Sequence, residues 1–232
     1  MTAISVTWIG HGTFQVHLDD KTVLIDPFIT GNPTATVKPE DVAADVILVT
    51  HGHGDHVGDA VSIATRTGCK VVGAVELIGW LGTQGLDKAQ GMGMNTGGSY
   101  DFGFCKIKWT MALHSSSTPD GTYAGNPLGV IITAQDGRKL YFAGDTSLFG
   151  DMRLIGDEGL ALAVLPIGDH YTMGVHDSIR AINLLTPKYA MPGHYNTMPL
   201  IRQDTEAWSQ RVREETQAKP IVPQAGETVV IP

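Results

Sequence analysis

Ile4-Ser5-Val6-Thr7-Trp8 alternates apolar and polar positions, and so does Phe14-Gln15-Val16-His17-Leu18. A period of two puts every second side chain on one face, which predicts two half-buried strands, with His17 on a polar face. Asp19-Asp20-Lys21 reads as a hairpin turn into a third strand, Thr22-Val23-Leu24-Ile25. Residues 28–43 lose this periodicity and are rich in Gly, Pro and Thr, which predicts a long loop that walls or covers a pocket. Val46-Ile47-Leu48-Val49 is an unbroken apolar run and predicts a buried strand. The period then changes. Val57, Ala60, Val61 and Ala64 recur at helical spacing, and Gly68 stands where a helix would be capped. Lys70-Val71-Val72 predicts a short strand, and residues 74–83 predict a helix buried on most sides. Residues 88–99, with their glycines and methionines, predict a loop and turn.

The second half alternates in the same way. Residues 107–113 predict a strand, and residues 128–133 and 139–143 predict a hairpin across Asp136-Gly137. Residues 160–166 predict a buried strand, residues 175–185 a helix stopped by Pro187, and residues 189–191 a short strand. A charged amphipathic helix is expected over 204–216, with a last strand or two over 221–231. No linker separates the halves, so a single domain over residues 1–232 is expected.

Candidate chemistry collects where the predicted strands end. Residues 50–59 read Thr-His-Gly-His-Gly-Asp-His-Val-Gly-Asp, between a predicted strand and a predicted helix. Open sheets usually keep their sites at such turns. His51, His53, Asp55 and His56 are four metal-ligating side chains in a short stretch, and Gly52 and Gly54 let the backbone turn. Asp55 alone would suit a helix cap, but capping needs no three histidines. His114, Asp145 and His194 each follow a predicted strand, which makes seven candidate ligands. Seven is what two adjacent ions need when one carboxylate is shared. His11 follows the first strand and either lines a pocket or caps a turn. Asp26 either orients a ligating histidine or forms an Asp-Pro turn. Residues 115–127 are expected to form a second pocket wall, with His170 and Tyr195 as further candidates for contact with substrate, while Ser115, Ser116 and Ser117 read as backbone caps because no nucleophile elbow surrounds them.

Composition narrows the function. Lys and Arg number 16 against 24 Asp and Glu, a formal charge of −8, and no basic run occurs, which argues against a nucleic-acid partner. No apolar run approaches the roughly 20 residues of a membrane span. The start lacks the features of a signal peptide, and the two cysteines, Cys69 and Cys105, form no framework; a cytoplasmic protein is expected.

The ordered set His51-x-His53-x-Asp55-His56, then His114, Asp145 and His194, resembles the metallo-β-lactamase superfamily. Gly10-His11, residues 24–28, 30–33, 112–117, 143–146, 165–168 and 194–197 resemble one branch more closely, the prokaryotic metal-dependent hydrolases related to the UlaG-like lactonases. Gly193 stands where that branch commonly has Met, a backbone change that leaves His194 in place. The resemblance implies an α/β fold, a four-layer αββα sandwich. It implies two divalent ions, zinc first, with manganese, nickel or iron as alternatives. One would be held by His51, His53 and His114, the other by Asp55, His56 and His194, with Asp145 shared. The implied activity is hydrolysis of an ester, lactone or thioester-like bond in a small substrate, with Asp55 also carrying a proton. A small cyclic phosphodiester hydrolase and a metal-dependent sensor or scaffold are the alternative readings; a di-iron redox protein is disfavoured by His53. The resemblance also implies a homo-oligomer.

Overall fold

A computed structural model describes residues 2–232. The chain first lays down β1 (Ile4–Gly10), β2 (Thr13–Leu18), β3 (Lys21–Ile25), β4 (Val46–Leu48), α1 (Gly54–Val57), α2 (Ala60–Thr67), β5 (Lys70–Ala74), α3 (Val75–Thr83) and β6 (Gly91–Met94). It continues with β7 (Ser99–Asp101), β8 (Cys105–Met111), β9 (Leu128–Ala134), β10 (Lys139–Phe142), α4 (Met152–Gly156), β11 (Leu162–Pro166), α5 (Val175–Leu185), β12 (Tyr189–Gly193), α6 (Thr205–Glu215), β13 (Lys219–Pro220) and β14 (Thr228–Val230). These strands form two 7-stranded sheets, ordered β14-β1-β2-β3-β4-β5-β6 and β13-β12-β11-β10-β9-β8-β7. Each sheet is antiparallel on one side and parallel on the other, the change falling at β3 and at β10.

The burial pattern follows from this topology. β4 and β11 lie inside the parallel halves and are buried at every position, as strands covered on both faces must be. β1 alternates at its start, because one face meets the core and the other does not. The sheets pack face to face: Phe14 of β2 meets Phe142 of β10 with ring centroids 5.5 Å apart. α2 and α3 flank the first sheet, and α5 and α6 flank the second. Buried Trp208 of α6 donates its indole N–H to Ser178 Oγ of α5 at 3.0 Å, locking those two helices together. The result is the four-layer αββα arrangement. Among the described residues no helix is long and apolar enough to cross a membrane.

Two expectations are corrected. Residues 91–94 and 99–101 are edge strands rather than loop. Gly and Met are poor strand signals, but the glycines answer to a neighbour: a Cβ on Gly93 would stand 3.0 Å from Val75 Cα, and one on Gly91 would stand 2.8 Å from Ile78 Cγ2. α3 therefore lies directly on β6. Because β6 is an edge, α3 is only partly covered, with Leu77 and Leu81 buried and Val75 half exposed. Gly93→Ala is expected to push α3 off this edge and cost about 1–3 kcal/mol, the usual range for overpacking. Urea unfolding checks it; a midpoint unchanged from the parent would show that α3 does not depend on this contact.

Candidate metal centre

The residues of the motif are set by the end of β4. Val49 still bonds the sheet through its N–H to Val72 O, and the chain then leaves the sheet as Thr50 to His53. His53 is extended (φ −64°, ψ 150°) and starts α1, which carries Asp55 and His56 on its single turn. Neither Gly52 nor Gly54 adopts a positive φ. Gly52 is required for a different reason: a Cβ there would stand 2.4 Å from Ala124 Cβ. The left-handed glycine of the turn is Gly58, packed against Pro27 O.

Seven candidate side chains meet between the C-terminal ends of strands from both sheets. One nitrogen each of His51, His53 and His114 lie within 4.8 Å of one another, and His51 Nε2 is 3.0 Å from His53 Nδ1. Ligands on a tetrahedral ion at about 2.0–2.1 Å stand roughly 3.3 Å apart, so this spacing fits one ion. A second group within the same 4.8 Å limit joins Asp55, His56 and His194 with His11. Asp145 Oδ2 lies between the groups, 3.6 Å from His114 Nε2, 3.4 Å from His56 Nε2 and 3.1 Å from His194 Nε2. His56 Nε2 and both ring nitrogens of His194 are buried without a hydrogen-bond partner. His56 Nε2 and His194 Nε2 are close to the Asp145 carboxylate without forming a hydrogen bond to it. Buried polar atoms are seldom left so, and a shared cation accounts for them.

The electrostatics point the same way. Burial alone would lower His56, but Asp145 and Asp26 on either side override it and raise its pKa well above the ordinary value. Burial would raise Asp145, but His194 and His56 hold it well below the usual carboxylate range. Burial, helped by neighbouring His56, holds His51 well below the ordinary imidazole value, which leaves it neutral and free to ligate. The field at the centre of the cluster thus favours a positive charge, which a bound cation would supply in place of a proton on His56.

Outer hydrogen bonds select the tautomers. Asp26 Oδ1 accepts from Thr50 N at 2.7 Å, while Oδ2 accepts from Thr50 Oγ1 at 2.6 Å and from His56 Nδ1 at 2.8 Å. With its proton committed to Asp26, Thr50 Oγ1 accepts from His51 Nδ1 at 3.0 Å. One buried carboxylate therefore leaves the Nε2 lone pairs of both His51 and His56 bare. His11 Nε2 lies 3.0 Å from Asp55 Oδ2, with Thr197 Oγ1 3.0 Å from its Nδ1. Burial lowers the His11 pKa to about 4 despite the bond to Asp55, so His11 is neutral and its Nε2–H donates to the carboxylate. Its carbonyl accepts from the His194 backbone N–H at 3.0 Å, and the two rings stack with centroids 3.9 Å apart.

Comparison with known proteins agrees with this geometry. A family described as Beta-lactamase superfamily domain matches residues 21–195. A UPF0173 metal-dependent hydrolase of Thermus thermophilus is 50% identical over 213 residues, covering 91% of this chain and 92% of that one. The chain belongs to the UPF0173 metal-dependent hydrolases of the β-lactamase superfamily. The metallo hydrolase Igni18 of Ignicoccus hospitalis superposes with a TM-score of 0.89 at 39% identity, covering 99% of each chain. YhfI of Bacillus subtilis, a metallo-β-lactamase fold protein, superposes with a TM-score of 0.76 at 13% identity, covering 98% of this chain and 99% of that one, which shows the shared fold.

In this UPF0173 member a cavity of about 370 Å³ opens over the cluster. Its floor is His53, Asp55, His114, Asp145 and His194, and its walls are Ser115, Tyr171 and Met198. The walls differ from those expected. The loop at 28–43 does not line the cavity, because Asp59 ties it back through bonds to Ile29 N, Thr30 N and Thr30 Oγ1 while Ile29 and Val42 are buried. Of residues 115–127 only Ser115 lines it. Tyr195 is buried and stacked on Trp8, with centroids 4.9 Å apart, and His170 stands edge-on to Tyr171 outside the lining. Tyr171 and Met198 carry no motif; their only sequence signal was a place just beyond a predicted strand end.

Proposed function

We propose that this hydrolase is binuclear and cleaves an ester, lactone or thioester-like bond in a small molecule. The observation that carries the reading is Asp145 Oδ2, which stands within 3.6 Å of ring nitrogens from both donor groups. In this reading His51, His53 and His114 hold one divalent ion, Asp55, His56 and His194 hold another, and Asp145 is shared. Zinc suits a set of imidazoles and carboxylates, and manganese, nickel or iron are accepted by the same donors. When bound, such ions make a water far more acidic than in bulk and polarise the bond under attack.

The remaining work belongs to the chain. His11 holds Asp55 through Oδ2, and Asp55, besides helping to hold the second ion, would take the proton released by the attacking water and pass it to the leaving group. Ser115 Oγ, 3.4 Å from His53 Nε2, stands at the cavity edge as a hydroxyl for the substrate. The Asp26 and Thr50 network keeps the imidazoles in ligating form through the cycle. A panel of a lactone, a thioester, a carboxylic ester, a phosphodiester, an amide and a β-lactam tests the reading. Chelator-sensitive turnover of the ester-like members, with two ions per chain by elemental analysis, is expected. Preferred turnover of the phosphodiester or amide would overturn the bond class, and a single bound ion at full activity would overturn the binuclear centre.

His11→Ala removes the donor on Asp55 and the ring stacked on His194. It is expected to weaken the second ion by about 10- to 100-fold, as loss of an orienting partner does elsewhere. The first ion should bind as before. Stepwise zinc titration of the stripped protein separates the two; equal weakening of both ions would refute the assignment of His11 to one site.

A further inference from the structure

Resting on the hydrolytic reading, we propose that the substrate carries an uncharged apolar group seated between Tyr171 and Met198, and that Tyr171 determines this specificity. The cavity floor belongs to the metal centre, so selectivity is left to the walls. Those walls are one hydroxyl, one aromatic ring and one thioether, and the exposed lining is mostly apolar. No lysine or arginine lines the cavity among the described residues. The same holds for the neighbouring cavity that shares His114, lined by Met111, Leu113, Asn126 and Pro127 among others.

The carboxylates of Asp26, Asp55 and Asp145 would offset most of the charge that divalent ions bring to the centre, which leaves little with which to hold a carboxylate or phosphate elsewhere on the substrate. A chain of formal charge −8 adds no attraction from a distance.

Tyr171 is built into its place. It follows two consecutive left-handed residues, Asp169 (φ 61°) and His170 (φ 49°), a conformation that side chains avoid and that the rest of the fold must hold. The turn is closed by a bridge between Gly168 and Gly174 and by Asp169 N donating to Met173 O at 3.2 Å. Met173 N donates to Thr146 O at 2.9 Å, which ties the turn to the residue beside Asp145. The His170 ring braces Tyr171 edge-on at 4.5 Å. Tyr171 is nevertheless 49% exposed, and Met198 is 37% exposed. A flat ring and a pliable thioether lining one cavity suit an aliphatic or aromatic group.

The test uses the metal-loaded protein, two series of probes and one variant. Nitrophenyl esters with acetyl, hexanoyl, pentanoyl and succinyl groups report turnover; the corresponding hydroxamates report binding by calorimetry. Hexanoyl is expected to exceed acetyl by about tenfold or more in both series, since each buried methylene in such a pocket contributes a substantial factor. Pentanoyl is expected to exceed succinyl, its anionic counterpart, by about a hundredfold. Tyr171→Phe should behave like the parent. Tyr171→Ala should raise KM for the hexanoyl ester about tenfold with kcat little changed, shrink the preference for hexanoyl over acetyl accordingly, and retain both ions and the unfolding midpoint. Esters cleaved without this ranking, or hydroxamates bound without it, would overturn the apolar seat and leave the hydrolytic reading intact. Ranked hydroxamate binding with no ester cleaved would support the seat and overturn the hydrolytic reading instead.

Discussion

Asp145→Ala is expected to abolish hydrolysis, by on the order of a thousandfold or more in kcat, and to leave the protein with no more than a single ion. Asp145 Oδ2 stands close to ring nitrogens of both donor groups at once, which makes it the natural shared ligand. His194 and His56 keep it ionised although burial opposes this, so its negative charge is present throughout the working pH range. Without it the three histidines His51, His53 and His114 still form a set able to keep one ion. The second set loses the charge that offsets its cation. Elemental analysis after exhaustive dialysis counts the ions, and the unfolding midpoint of the stripped variant separates a lost ligand from a damaged fold. Asp145→Asn repeats the test at constant shape. Two ions retained with full turnover in either variant would end the shared-ligand assignment.

How far the site was legible depends on where its information lies. His51, His53, Asp55 and His56 announce themselves, because ligand types at short spacing have few other uses. His114, Asp145 and His194 are solitary, but each follows a predicted strand, and those strands, β8, β10 and β12, run the same way, so their ends gather on one edge. Position in the fold was therefore readable for them. The walls were not. Tyr171 is placed by left-handed backbone at Asp169 and His170 and by a bond from Met173 to Thr146, none of which has a local signature. The loop at 28–43 has the composition of a lid, yet Asp59, far along the chain, pins it down. Gly91 and Gly93 look like loop residues until α3 is laid across them. Each of these features is set by a tertiary neighbour, which pattern and propensity do not record.

Asp26→Asn is expected to lower turnover about a hundredfold or more while changing almost no volume. Asp26 adopts φ 45°, a left-handed conformation that Asn tolerates well, so the backbone should stay in place. Its neighbours then decide the outcome. Thr50 N must donate to Oδ1, and a backbone N–H cannot be reversed. The new amide NH₂ therefore takes the place of Oδ2, where both the Thr50 hydroxyl and His56 Nδ1–H now donate. The hydroxyl can rotate away, but the imidazole can relieve the clash only by moving its proton to Nε2. That nitrogen is the one near Asp145, and once protonated it cannot ligate. The stripped variant should lose about 1–3 kcal/mol, the cost of one mismatched buried contact. The ion held by His51, His53 and His114 should bind nearly as before, while binding through His56 falls sharply. Nitrogen NMR of the zinc-loaded protein reads whether His56 Nε2 is metal-bound or carries the proton. A proton still on Nδ1, with both ions bound at parental affinity, would show that Asp26 serves the fold of this turn and does not set the chemistry of the centre.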